Sequence, residues 1–140
     1  MAALSAALQH TWPYGFQGKT LSVKMAASTT IYQGGGVTFN ASGLAVAAAD
    51  TASFKTCGVA LETKTSDATT DAYISVLVDG VCDFAFGAAN ATATNCNGVA
   101  VYWTDDQTVD LAGTTSNDIK AGIVVSVTSA SKVYVSFCLA

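Results

Sequence analysis

Ala72-Tyr73-Ile74-Ser75-Val76-Leu77-Val78-Asp79-Gly80-Val81-Cys82-Asp83-Phe84-Ala85-Phe86 is the stretch on which the fold turns. Tyr73, Ser75, Leu77 and Asp79 fall on one face of an extended chain, and Ile74, Val76, Val78 and Gly80 fall on the other. That is the period-two pattern of a strand, not the 3.6-residue period of a helix. Gly80 interrupts the apolar run and predicts a bulge or sharp bend there, with a second strand continuing over Val81–Phe86.

The same pattern recurs on both sides. Leu21–Met25, Val37–Asn40, Leu44–Ala47, Gly58–Glu62, Val99–Thr104, Thr108–Leu111, Ile123–Val127 and Val133–Phe137 are short β-type runs. Gly34-Gly35-Gly36 and Ala41-Ser42-Gly43 turn the chain around a hairpin over Val37–Ala47. Asp105-Asp106-Gln107 makes a tight turn, Thr128–Ser131 joins a closing hairpin, and 87–98 and 113–119 read as polar loops. About ten short strands with turn signals between them predict an all-β fold, a compact antiparallel β-sandwich or barrel with a single core. The expected core is Val23, Phe39, Val59, Leu61, Ile74, Val76, Val99, Val101, Ile123, Val125, Val133, Val135 and Phe137.

Residues 1–19 differ from the rest. Ala and Leu at helix-compatible spacing give way to Trp12-Pro13-Tyr14-Gly15-Phe16-Gln17-Gly18. Pro13 biases Trp12 away from α geometry, and the glycines favour an irregular path. The expected organisation is an irregular N-terminal arm, 1–19, and a β domain, 20–140. Trp12, Tyr14 and Phe16 belong to no strand and are the candidate contacts with a neighbouring subunit. Folding back on their own core is the plainer alternative.

Composition narrows the function. At 140 residues the chain forms one domain that buries roughly two-thirds of its unfolded surface. Charged residues make up 11%, so much of the surface is neutral Ala, Ser, Thr and Gly, which suits packing against other protein copies. The net charge is −4 and all six basic residues are dispersed lysines, against the clustered Lys and Arg that phosphate contacts require. No nucleic-acid partner is expected. No apolar run reaches the ~20 residues needed to span a bilayer, so no membrane partner is expected either. Met1–Leu8 lacks the basic start of a signal peptide, which predicts synthesis in a cytoplasm.

Little in the chain promises chemistry. His10 is the sole imidazole, and it lies in the arm. Asp105-Asp106 and the pair Asp79 and Asp83 are the close acidic pairs. The first sits where a turn wants Asp, and the second reads as solvated strand-edge charge. The triple glycine is no phosphate cradle, because neither Lys-Ser/Thr nor a helix follows it. Cys57, Cys82, Cys96 and Cys138 have no Cys-x-x-Cys spacing. Free thiols acting as small apolar residues are favoured, and two disulfides in any of three pairings stay open. No catalytic residue, metal or cofactor is expected.

Four motifs in order resemble the head decoration, or capsid cement, proteins of tailed bacteriophages. They are Cys57-Gly58-Val59-Ala60-Leu61-Glu62; Val78-Asp79-Gly80-Val81-Cys82; Val101-Tyr102-Trp103-Thr104-Asp105-Asp106 with Thr108-Val109; and Ala121-Gly122-Ile123-Val124 followed by Val133-Tyr134-Val135. The resemblance spans roughly residues 30–137. It implies a non-enzymatic structural protein on the exterior of a virion capsid. Its partners would be the major capsid protein and itself, with a homotrimer preferred over a dimer. It also implies stabilisation of the expanded shell. Four cysteines and the aromatic arm depart from the family pattern. A head-fibre or glycan-binding, host-binding β module is the alternative. A secreted pilin-like sandwich and a small hydrolase fit less well.

Overall fold

The computed structural model of the chain describes residues 3–8, 18–87 and 90–138. Among them each expected β run overlaps a strand. These are β1 (Thr20–Lys24), β3 (Gly36–Phe39), β4 (Ala45–Ala47), β5 (Lys55–Ala60), β7 (Tyr73–Leu77), β8 (Asp79–Phe86), β9 (Ala100–Trp103), β10 (Thr108–Asp110), β11 (Lys120–Ser129) and β12 (Lys132–Cys138). Two-residue strands β2 (Thr30–Ile31) and β6 (Lys64–Thr65) pair with each other as a small ribbon. One helical turn, α1 (Ala93–Cys96), sits in the expected 87–98 loop. It forms because Thr92 and Asn95 cap it reciprocally, each side chain accepting the other's backbone N–H.

The strands make two units. A five-stranded sheet runs β1-β7-β5-β3-β4, and a closed five-stranded barrel runs β10-β8-β12-β11-β9. The pairs are antiparallel except for β8 with β10, the parallel pair that shuts the barrel. The sheet curls as well. Met25, just past β1, bridges Ala45 of β4 in parallel and draws its two edges together. The chain crosses from sheet to barrel at Val78, between β7 and β8.

That crossing corrects the expectation at Gly80. β8 pairs with β12 from Asp79 to Ala85 with no register shift, so no bulge falls at Gly80. The break lies two residues earlier, where Leu77 and Val78 are both buried, in different cores.

Two apolar clusters replace the single expected core. The barrel encloses Phe84, Trp103, Val101, Val109, Val124, Val133, Val135 and their neighbours. The sheet curls over Met25, Ile31, Val37, Ala45, Cys57, Ala60, Ile74, Val76 and Val78. β5 and β7 serve both. Val59 lies opposite Leu77, and both belong to the barrel cluster; Ala60 lies opposite Val76, and both belong to the other. Alternation along a strand therefore feeds a core on each face, and each fully buried Val or Leu contributes about 1.5–3 kcal/mol.

Trp103 joins the units. Its ring meets Phe84 edge-on, with centroids 5.0 Å apart. Its Nε1–H donates to Thr56 Oγ1 of β5 at 3.1 Å, and the Thr56 hydroxyl donates onward to the Lys120 carbonyl. Gly36 of the sheet lies against the indole, where any Cβ would fall 2.5 Å from the ring.

Of the expected core, Val59, Ile74, Val76, Val101, Val133, Val135 and Phe137 are buried, and Val23, Phe39 and Leu61 are half-buried. Val99, Ile123 and Val125 point outward, 39%, 42% and 51% exposed. The cause in β11 is irregular register, with shifts between Lys120 and Gly122 and between Val124 and Ser126. Each shift reverses which side faces in, so Ala121 and Val124 are the inward residues. Val99 precedes β9 and follows Gly98, whose φ is 78°.

Candidate functional site

The Gly34-Gly35-Gly36 turn seats the N-terminal segment. Leu4 N–H donates to Asp106 Oδ1 at 2.8 Å, and Leu8 N–H donates to the Gln33 carbonyl at 2.7 Å. Each glycine makes room for a different neighbour. A Cβ at Gly34, whose φ is 84°, would overlap the Leu8 carbonyl, and one at Gly35 would fall 2.9 Å from Leu4 Cδ1. Gly36 takes the Trp103 ring and donates its N–H to the Asp106 carbonyl at 2.7 Å. The turn thus holds the segment on one side and the barrel on the other. Residues 3–8 are fastened to their own β domain. Trp12, Tyr14, Phe16 and His10 lie outside the described residues.

Asp105 and Asp106 act as turn residues. Asp105 Oδ1 accepts the Gln107 N–H at 2.9 Å, and Asp106 accepts Leu4. Both side chains are buried. Burial pushes the Asp106 carboxyl above the usual range; the Leu4 N–H opposes this, and the Asp105 charge adds to it. Asp83 departs from the solvated edge charge expected of it. It is 5% exposed, sits on an interior strand of the barrel, and pairs with Lys132 at 3.3 Å. Asp79 is half-buried at the start of the same strand.

The outer face of the barrel carries a row that is apolar but for one serine. Val81, Ser136, Ile123 and Ala100 lie opposite one another across β8, β12, β11 and β9. Exposed Val99 and Val125 flank it, the Val99 carbonyl accepting the Val124 N–H. Lys120, Thr56, Ser136 and Cys138 border Ile123 in a shallow groove. The sheet presents its own exposed apolar residues, Leu21 on the edge strand β1 and Tyr73 on the adjacent β7. Large aliphatic side chains side by side in water mark contact surfaces more often than isolated ones do.

Cys57, Cys82 and Cys96 are free thiols and buried, and Cys138 is exposed. Burial pushes the Cys57 thiol to about 11, and burial together with the Asp83 charge pushes Cys82 up, so both act as small apolar residues. Among the described residues no three His, Cys, Asp or Glu side chains are grouped to hold a metal ion, and no helix is long and apolar enough to cross a membrane.

The body is two linked β units with an outward row of mainly apolar residues and a seat for its own N-terminal segment. The family model of the phage cement proteins matches residues 16–139, nearly the whole chain, and the chain belongs to that family. No curated protein matches it. Its role is thus that of a cement protein of a phage capsid, and its place is the virion. The residues that sequence reasoning missed are Gly34–Gly36 as a seat and the outward Val99, Ile123 and Val125. The three consecutive glycines were the available signal for the first.

Proposed function

We propose that the protein binds the outer surface of an icosahedral phage head and stabilises the expanded shell. The family match over residues 16–139 carries this reading. The apolar row around Ile123 and Val125 supports it, because it supplies a neutral face for a capsid subunit. A protein that recognises only the expanded lattice favours that lattice by linkage, and many weak symmetric contacts add through multivalency. The partners are the major capsid protein and further copies of the chain, as a homotrimer in preference to a dimer. Trp12, Tyr14 and Phe16 supply neighbour contacts, since aromatic side chains dominate interface energies.

Heads lacking the protein test the reading. Purified chain added to expanded and unexpanded heads should sediment with the expanded ones alone, and should raise the temperature at which they break. Equal binding to both forms, or no rise in that temperature, rejects it. The copy number per capsid hexamer decides the oligomer order.

A further inference from the structure

Among the described residues, the segment meets the Gly34–Gly36 seat through its backbone and one side chain. Two backbone N–H bonds and the Leu4 side chain fasten residues 3–8, while Ala3, Ser5, Ala6 and Ala7 are exposed. The receiving side is built in more detail. It comprises a glycine at φ 84° that clears the Leu8 carbonyl, a second glycine that clears Leu4, and a buried carboxylate aimed at the Leu4 N–H. Any copy of the segment satisfies these groups equally well, whether it comes from the same chain or the next.

The length of the connection is the second observation. Ten peptide links separate Leu8 from Gly18 and reach up to about 35 Å. Within one copy the path is shorter. Gly34 donates to the Ala60 carbonyl, Ala60 lies opposite Val76, and Gly18 packs against the Asp79 carbonyl three residues beyond. Crossing β5 and β7 in this way takes about 30 Å at most. The connection therefore has length to spare within one copy, so residues 3–8 can leave their own seat while β1 stays paired.

We propose that, on the shell, residues 3–8 of one copy occupy the Gly34–Gly36 and Asp106 seat of a neighbouring copy, so that the chains are laced by exchanged N-terminal segments. The proposal rests on the cement reading for the crowding that brings copies together. Exchange of an identical element costs little, because every bond lost within a chain is remade between chains. On a lattice the neighbour's seat is present at high effective concentration.

The test places a photo-crosslinking amino acid at exposed position Ala6 in isotope-labelled full-length chain. This is mixed in equal amount with unlabelled wild type before addition to expanded heads. After irradiation, mass spectrometry reads which copy carries the residue 33–36 end of each crosslink. Random exchange puts about half of those crosslinks between labelled and unlabelled copies. Gly35→Ala, whose new methyl displaces the Leu4 side chain, should reduce them several-fold in the copy that carries it. Crosslinks confined to labelled chains overturn the proposal. Should the protein bind no heads, the cement reading fails, and the same crosslinks are read in the oligomer formed in solution. A monomer there overturns the exchange as well.

Discussion

The barrel and the curled sheet both close, but by different means. The barrel shuts through paired strands, with β8 and β10 in parallel register at Thr108↔Ala85 and Val109↔Phe86. The sheet is drawn together, among the described residues, by the Met25–Ala45 bridge, beside which the Ala26 N–H donates to the Ala45 carbonyl at 3.0 Å. Their cores differ in the same sense. Trp103 and Phe84 fill the barrel, while the sheet encloses Ile, Val, Ala, one Cys and one Met. One unit is thus locked by ring packing and a continuous ladder. The other depends on small side chains and one crossover, and it carries the seat for the N-terminal segment.

The largest expected effect breaks the barrel side of this comparison. Trp103→Ala removes the ring against Phe84 and Gly36 and the bond to Thr56, and should cost about 3–5 kcal/mol in denaturant unfolding. A loss below about 1 kcal/mol would mean that the indole is not the joint between the units. Met25→Ala should cost somewhat less, about 2–3 kcal/mol, and should raise amide exchange in β1 and β4 ahead of β8 and β12. Equal exchange in both units would show that they open as one.

A smaller effect sharpens how the units are tied. Asp50 accepts the Ser116 and Asn117 N–H groups at 2.7 and 2.8 Å, linking the chain after β4 to the loop before β11. Burial raises its carboxyl, but the hydrogen bonds from Ser116 and Asn117 outweigh this and hold it below the usual carboxylate range. Its stabilising contribution is therefore present above the unfolded value near ~3.9 and is lost as pH falls through the lower folded value. Asp50→Ala should cost about 1 kcal/mol at neutral pH and flatten the acid end of the stability curve. An unchanged acid limb would remove Asp50 from that role. The smallest effect on stability is expected on the barrel's outer face. Ile123→Ser with Val125→Ser should shift unfolding by only about 0.5 kcal/mol while weakening retention on expanded heads. Undiminished retention would move the contact surface elsewhere, with Leu21 and Tyr73 on the sheet as the next candidates.

Much of the fold is legible from residue order, since every expected β run overlaps a strand. What escapes is parity and partnership. Ile123-Val124-Val125 offers three apolar residues in a row, and only the bulges of β11 decide that the middle one faces in. Val76-Leu77-Val78 is also an unbroken run, and its doubling of apolar residues records a strand leaving one core for another. A glycine nearby was the more conspicuous but wrong marker for the bend. Parallel closure by β10 could not be read, because it pairs segments joined through a loop, a helical turn and β9. At the seat, three glycines are visible in sequence, but their partners Leu4, Leu8 and Trp103 lie far off along the chain. Local pattern therefore named a turn and could not say what the turn receives.

The triple glycine also sets how this chain can drift. Gly43 stands in open space at φ 78°, where Asn or Asp can follow it at modest cost. Gly34, Gly35 and Gly36 each answer to a different neighbour, so no single compensating change relieves all three. Among related chains that keep the N-terminal segment, this turn should form a small island of fixed residues in a surface otherwise free to vary. Chains that lose the segment should release Gly34 and Gly35 first and hold Gly36 for as long as Trp103 remains.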